Sequence, residues 1–128
     1  MTKKVLVVGA GGQLGQELQR TSGPDIECLP MTRAQLDIGD PAVVTQCLAA
    51  VAPQLVINAA AYTAVDKAES EVDAAQRGNV AGPLALAQAC AQQGVRLIHI
   101  STDFVFDGSA SQPYKPDAAT APVRRVWT

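Results

Sequence analysis

The chain has 128 residues, of which 48 % are hydrophobic and 17 % charged, a balance typical of one globular domain with a buried core. The formal net charge is −2, so electrostatics give no reason to expect nucleic acid or an anionic membrane as a partner. No apolar segment is long enough to span a bilayer.

The number and spacing of the cysteines give information about the cellular compartment and about metal binding. Cys28, Cys47 and Cys90 are odd in number and widely spaced, which argues against both a disulfide framework and a zinc site. Each lies in an apolar or helical context, where a free thiol packs as a small hydrophobic group. We therefore expect no metal site and a reducing, cytoplasmic compartment.

The first part of the chain alternates apolar runs with turns. Residues 4–8 (KVLVV) are apolar on both faces after the initial lysine, which predicts a central strand buried on both faces. Helical spacing then predicts a helix over 13–21. A short second strand is predicted over 25–29 and a brief third over 36–38.

The next helix has a clear start signal. Asp40 suits the N-cap position and Pro41 the first helical position. This helix is predicted to end near Pro53, and the apolar run 55–58 is predicted to be the fourth strand.

An Ala-rich segment over 73–93 predicts a long helix with Gly94 as its C-terminal cap. The Gly82-Pro83 pair is expected to kink or restart it. Residues 96–101 then predict the fifth strand.

Strands that alternate with helices across short loops predict an α/β fold. We expect a Rossmann-like, doubly wound parallel sheet of about five strands in the order 3-2-1-4-5. Residues 1–108 would form this domain. Residues 109–128 are polar and Pro-rich, and we expect them to be irregular.

The loop after the first strand carries three glycines at three-residue spacing. A bound pyrophosphate needs a tight bend, which Gly9 permits, and a close backbone approach, which Gly12 permits. Gly15 would let the helix pack on the first strand. This motif follows an apolar strand and opens a helix, the context that supports a dinucleotide site. The alternative is a glycine-rich turn that serves packing only.

The end of the second strand bears on which cofactor binds. No acidic residue stands there to bond a ribose hydroxyl, whereas Thr32 and Arg33 suit a 2′-phosphate. We therefore expect NADP or NAD, with NADPH favoured over NADH. The alternative is that Arg33 only begins a solvated loop. Asp37 and Ile38 stand where such folds contact adenine, through the carboxylate and the aliphatic chain respectively.

Four segments together resemble one enzyme family. They are GAGGQLGQEL from Gly9, NAAAYTAVDKAE from Asn58, NVAGPLA from Asn79 and STDFVFDG from Ser101. With these segments the chain resembles the dTDP-4-dehydrorhamnose reductases, extended short-chain dehydrogenases. The resemblance implies reduction of the 4-keto group of dTDP-6-deoxy-L-lyxo-4-hexulose by NAD(P)H, which gives dTDP-L-rhamnose.

The resemblance also implies site residues. It assigns Thr102 as the catalytic hydroxyl that hydrogen-bonds the substrate carbonyl, although a strand-end Thr can equally be a local backbone cap. The resemblance also implies contacts with the cofactor. The pyrophosphate would meet Gly9, Gly12, Gln13 and Leu14, and the adenine would meet Asp37 and Ile38. The ribose and the nicotinamide would lie beside Ala59, Ala60, Ala61, Tyr62 and Thr63.

The family pattern breaks near the C-terminus. Val126 stands where the resemblance places the catalytic Tyr, and no Tyr-x-x-x-Lys occurs in the 128 residues. Because that Tyr donates a proton under the influence of the Lys cation, we expect no activity from this chain alone. Our hypothesis for the break is a frameshift or early stop after Val123. The alternative is a non-catalytic, cofactor-binding regulatory subunit of the same fold.

This break also has a consequence for assembly. Without following strands, the fifth strand would be an apolar edge open to pairing with another chain. We expect a homo-oligomer through that edge.

Overall fold

The computed structural model describes residues 2–60, 70–101 and 106–122. Four parallel strands form one sheet in the order β2-β1-β3-β4, with helices between them. The strands are β1 (Lys3–Val8), β2 (Ile26–Met31), β3 (Leu55–Asn58) and β4 (Arg96–His99). The helices are α1 (Gln13–Thr21), α2 (Pro41–Val51), α3 (Val72–Gln76) and α4 (Gly82–Gln93), and the segment Arg77–Ala81 between the last two is π-helical.

Strand β1 lies between β2 and β3, and its residues after the two exposed lysines are apolar on both faces, as a central parallel strand requires. Its last four residues, Val5 to Val8, are all buried. Val8 pairs with Met31 on one side and with Asn58 on the other. The three strands therefore end at the same level, and the loops that follow them meet above the sheet. The core beneath contains Leu6, Leu36, Ile38, Val44, Leu48, Val56, Leu86 and Cys90.

The α/β prediction is confirmed, but the brief strand predicted over 36–38 is wrong. Leu36 and Ile38 are buried and Asp37 is not, so the apolar alternation is real. The backbone, however, bonds locally: the amides of Gln35 and Leu36 donate to the Thr32 carbonyl. In these turns the backbone amides donate hydrogen bonds locally, so they are not available to a neighbouring strand. The four strands observed keep the predicted order with that strand left out.

Helix α2 begins as predicted. The Asp40 carboxylate accepts from the amides of Ala42 at 3.2 Å and Val43 at 3.4 Å, and Pro41 occupies the first turn. The helix ends at Ala52, which adopts the left-handed conformation with φ +50°.

The long helix predicted over 73–93 is interrupted, as the Gly82-Pro83 pair predicts. The π-helical segment replaces the regular pattern just before Gly82, and α4 restarts there. Gly94 caps α4 in the left-handed conformation, and its amide donates to the Cys90 carbonyl.

Residues 106–122 contain neither a helix nor a strand. Their first part is nevertheless tied together, because the rings of Phe106 and Tyr114 stack with centroids 4.4 Å apart. The Tyr114 hydroxyl donates to the Asp107 carboxylate at 3.1 Å. Within the described part of the chain, no helix has the length and apolar character needed to cross a membrane.

The cap of α2 gives a stability test. Asp40→Ala removes the acceptor for two helical amides, and we expect the free energy of unfolding to fall by about 1 kcal/mol. Urea denaturation followed by circular dichroism measures this change. Asp25→Ala is the matched control, because Asp25 is exposed in a turn and caps no helix; equal losses in the two variants would contradict the capping role.

Candidate functional site

A cleft of about 280 Å³ opens at the carboxyl ends of β1, β2 and β3. It lies where the loops after these three strands converge, which is where open α/β sheets bind ligands. Eight of the residues named from the sequence line it together: Gly9, Gly12, Thr32, Arg33, Asp37, Ile38, Ala59 and Ala60.

The floor of the cleft is a close contact between two backbones. Gly9 has φ +80°, and a Cβ there would lie 2.5 Å from the Ala60 nitrogen and 2.7 Å from the Ala59 carbonyl carbon. Gly15 is equally restricted, because a Cβ there would overlap the Gly9 carbonyl oxygen. Two of the three motif glycines are therefore required by packing, and Gly15 packs on the loop itself.

Gly12 differs from the other two. It precedes α1 with ordinary extended backbone, φ −79° and ψ 175°, and no side chain caps the helix. A Cβ at Gly12 would lie 3.6 Å from the Gly9 oxygen, an ordinary contact. The protein does not need glycine here for its own packing, yet the position faces the cleft.

Two glutamines hold the carbonyl groups of the glycine-rich loop. Gln16 Nε2 donates to the Gly11 carbonyl at 2.9 Å, and Gln19 Nε2 donates to the Ala10 carbonyl at 3.0 Å. These bonds turn the loop carbonyls toward α1. The first-turn amides of α1 have no intrahelical acceptor, and the positive end of the helix dipole lies there. Gln13 and Leu14 are exposed at this end but do not line the cleft.

Asn58 fixes the loop after β3. Its side chain is buried, and its Oδ1 accepts from the Ala60 amide at 3.1 Å. Its Nδ2 lies 3.1 Å from His99 Nδ1 on the neighbouring strand. His99 is thus a hydrogen-bonded histidine at the sheet edge. Asn58 was not predicted as a site residue; the signal in the sequence is an amide side chain at the end of an apolar strand, followed by three alanines.

Asp37 is held by two hydrogen bonds on the other wall of the cleft. Its Oδ1 accepts from the Gly39 amide at 2.9 Å, and its Oδ2 accepts from Arg77 Nη2 at 2.8 Å. The Gly39 hydrogen bond and then the Arg77 charge hold the pKa of Asp37 below its ordinary value. This carboxylate is therefore ionised at neutral pH.

Arg77 was not predicted as a site residue, and no local pattern identifies it. It begins the π-helical segment and lines the cleft beside Asp37. The side chains of the pair are 53 % and 44 % exposed, so the ion pair contributes at most about 1 kcal/mol to folding. Its effect on the site is to fix the direction of the carboxylate.

Arg33 lines the cleft and is exposed at its rim. The neighbouring Thr32 is held in a turn, since its amide donates to Gln35 Oε1 at 2.8 Å. Four predicted site residues lie outside the described residues, so the structure does not test them: Ala61, Tyr62, Thr63 and Thr102.

A metal centre is not found among the residues that the structure describes, since no group of three His, Cys, Asp or Glu side chains there could hold an ion. The three cysteines are free. Burial raises the pKa of the Cys28, Cys47 and Cys90 thiols, which favours the protonated, unreactive form.

Comparison with known proteins agrees with the geometry. A sequence model described as the RmlD substrate binding domain matches residues 3–125. The dTDP-4-dehydrorhamnose reductase of Mycobacterium tuberculosis is 44 % identical over 126 residues, which cover 94 % of this chain and 41 % of that protein.

Solved structures of dTDP-4-dehydrorhamnose reductases are also similar to this chain. A dTDP-4-dehydrorhamnose reductase from Bacillus anthracis, in complex with NADP, superposes with a TM-score of 0.94 and 36 % identity. It matches 99 % of this chain and 45 % of its own. The corresponding Clostridium acetobutylicum enzyme gives a TM-score of 0.93 and 39 % identity, over 97 % of this chain and 45 % of its own. The chain thus spans about 40 % of the length of the curated relatives it matches.

The contact between Gly9 and the loop after β3 gives a test of the cleft floor. Gly9→Ala forces a positive φ on alanine and overlaps the Ala60 backbone, so we expect a loss of about 2 kcal/mol or more in unfolding free energy. Gly11→Ala is the control, because a Cβ there meets nothing within 4 Å. Thermal and urea unfolding compare the two. A stable Gly9→Ala protein would contradict the close approach.

Proposed function

Because the chain belongs to the RmlD substrate binding domain family, we propose that it forms the cofactor-binding part of a dTDP-4-dehydrorhamnose reductase. The observation that carries this proposal is the cleft at the ends of β1, β2 and β3, with the uncapped start of α1 at one side. The whole enzyme would reduce the 4-keto group of dTDP-6-deoxy-L-lyxo-4-hexulose with NAD(P)H to give dTDP-L-rhamnose. Its substrate partner is thus a dTDP-linked keto sugar.

We place the dinucleotide along the cleft. Its pyrophosphate would lie against Gly9, Gly12 and the first amides of α1, where free donors and the helix dipole favour an anion. Gln13 and Leu14 contribute these amides. The adenine would lie beside Asp37 and Ile38.

The nicotinamide half would extend toward the other loops of the site. We propose that Ala59 to Ala61 pass beside the ribose and the nicotinamide, with Tyr62 and Thr63 near that ribose and Thr102 at the substrate carbonyl. Small side chains at Ala59 and Ala60 support the first part, because they leave the backbone open to the cleft.

NADPH is the cofactor we propose. The exposed guanidinium of Arg33 at the rim supports this choice, since a guanidinium binds phosphate oxygens through two parallel hydrogen bonds. No acidic residue follows β2 directly to bond an unmodified ribose. The Bacillus anthracis relative was solved with NADP, which is in keeping with this proposal.

We propose that these 128 residues bind the cofactor without turning over substrate. Neither of the two tyrosines supplies the missing pair, because the residue four positions after Tyr62 is Asp66 and the residue four positions after Tyr114 is Ala118. The same absence favours a second candidate, a non-catalytic regulatory subunit of this fold. Joining the chain to the C-terminal half of a relative distinguishes the two. Restored reduction supports the reductase fragment, and binding without reduction supports the regulatory subunit.

The remaining assignments are residues 1–108 as the dinucleotide-binding domain, 109–128 as a separate irregular segment, and a cytoplasmic location. The three free cysteines support a reducing compartment.

Cofactor binding is tested at Gly12. NADPH fluorescence should change on titration with the wild-type chain, while reduction of the keto sugar stays at background. Gly12→Ala should weaken NADPH binding at least tenfold, because its methyl group occupies the place where the pyrophosphate approaches the amides. Thermal unfolding should be nearly unchanged, since the Cβ makes only an ordinary contact.

Gly23→Ala is the matched control, because a Cβ there meets nothing within 4 Å and Gly23 lies outside the cleft. It should bind NADPH as the wild type does. A folded wild-type chain that gives no signal with NADPH or NADH would overturn the proposed function.

Self-association is our proposal for the exposed side of β4. Among the described residues β4 pairs only with β3, and Ile98 and Ile100 are 47 % and 44 % exposed. An open, apolar edge favours pairing with another chain. Light scattering across concentrations should show dimers or larger species, and Ile98→Lys should shift the population toward the monomer. A monomeric wild type at high concentration would contradict this proposal. Val43→Lys, on another exposed apolar residue, is the control.

A further inference from the structure

Arg77 has no assigned task in the proposed function, although it contacts a residue that has one. It is 40 positions from Asp37 in the sequence, and only the fold brings the two together. The Arg77 side chain is half exposed, and the residue lines the cleft.

Both oxygens of the Asp37 carboxylate accept a hydrogen bond, and the group can still accept another. One oxygen accepts from the Gly39 amide and the other from Arg77 Nη2. With the Gly39 bond alone, the group could rotate about its Cβ–Cγ bond; the Arg77 bond fixes its plane. Each carboxylate oxygen has a second lone-pair direction, and 44 % of the side chain is accessible. A donor in the cleft can therefore reach it.

Glycines make room for Arg77 on this wall. A Cβ at Gly39 would overlap the Arg77 side chain, lying 2.7 Å from its Cγ. A Cβ at Gly82 would lie 2.6 Å from Ile38 Cδ1 and 3.0 Å from the Arg77 carbonyl oxygen. The turn that carries Asp37 and Ile38 is thus packed directly on the π-helical segment, and π-helical turns are frequent at functional sites. The Arg77 side chain is held in place by packing as well as by charge.

We propose that Arg77 is a positioning residue for adenine recognition. It holds the Asp37 carboxylate so that this group accepts a hydrogen bond from the exocyclic amino group of the adenine. The inference rests on the proposed function, because it requires a dinucleotide in the cleft. It goes further by making the selectivity for adenine depend on a residue that need not contact the base.

The test compares NADPH with its reduced deamino analogue, in which hypoxanthine replaces adenine. Hypoxanthine presents a carbonyl oxygen where adenine has its amino group, so an oriented carboxylate disfavours it. The wild-type chain should bind NADPH about tenfold more tightly than the analogue, the ratio typical of one hydrogen bond to a charged group. Fluorescence titration of each cofactor gives this ratio.

In Arg77→Met the ratio should fall to about twofold or less, with most of the loss in NADPH binding. Arg77→Lys, which keeps one charged donor, should retain an intermediate ratio. Arg20→Met is the matched control: Arg20 pairs with Glu17 on the exposed face of α1, and neither residue lines the cleft. It should keep the wild-type ratio.

The outcomes separate the inference from the proposed function. Failure of the folded wild-type chain to bind either cofactor overturns both. Binding of NADPH by the wild type, with an unchanged ratio in Arg77→Met or an equal loss for both cofactors, overturns only the inference, because Arg77 would then serve cleft shape alone. A wild-type chain that binds NADPH and the deamino analogue equally tightly also overturns the inference.

Thermal unfolding shows whether each variant is folded. If Arg77→Met does not fold, Arg77→Lys and Asp37→Asn carry the test, and wild-type ratios in both overturn the inference.

Discussion

The backbone of the loop after β1 contacts the backbone after β3 so closely that no side chain fits between them. Gly9 reaches this position with a positive φ, and a Cβ there would overlap Ala60. The contact forms because Val8 and Asn58 are paired partners at the ends of their strands. This close contact between the two loops determines the cleft, the start of α1 and the line of small residues beside them. A larger residue at Gly9 would separate the two loops and open the floor of the site.

Polar side chains then fix the direction of each loop. Gln16 and Gln19 hold carbonyl groups after β1, and Asn58 holds the Ala60 amide after β3. Gln19 is half-buried and Asn58 is buried, and polar groups in such places are costly unless they are hydrogen-bonded. On the cleft side, each of these bonds leaves backbone amides or uncovered backbone accessible. The hydrogen bonds that fix the conformation of the loops therefore also shape the site.

The elements that were predicted correctly depend on local physics. The start of α2 at Asp40 and Pro41, the cap at Gly94 and the break at Gly82 arise from the conformational preferences of those residues themselves. The strand expected over 36–38 shows where local patterns fail. Alternating burial at Leu36 and Ile38 resembles a strand, but hydrogen bonds to Thr32 and Asp37 make the segment a series of turns that place both side chains in the core.

The sequence by itself determined the alternation of strands and helices and the glycine-rich loop between β1 and α1, because hydrophobic period and turn chemistry depend on neighbouring residues. Only the tertiary structure decided that Arg77 meets Asp37 and that Asn58 meets His99. It also showed that Gly39 and Gly82 make room for their neighbours. These contacts join residues about 40 positions apart, and they exist only once parallel strands and their crossover helices are packed.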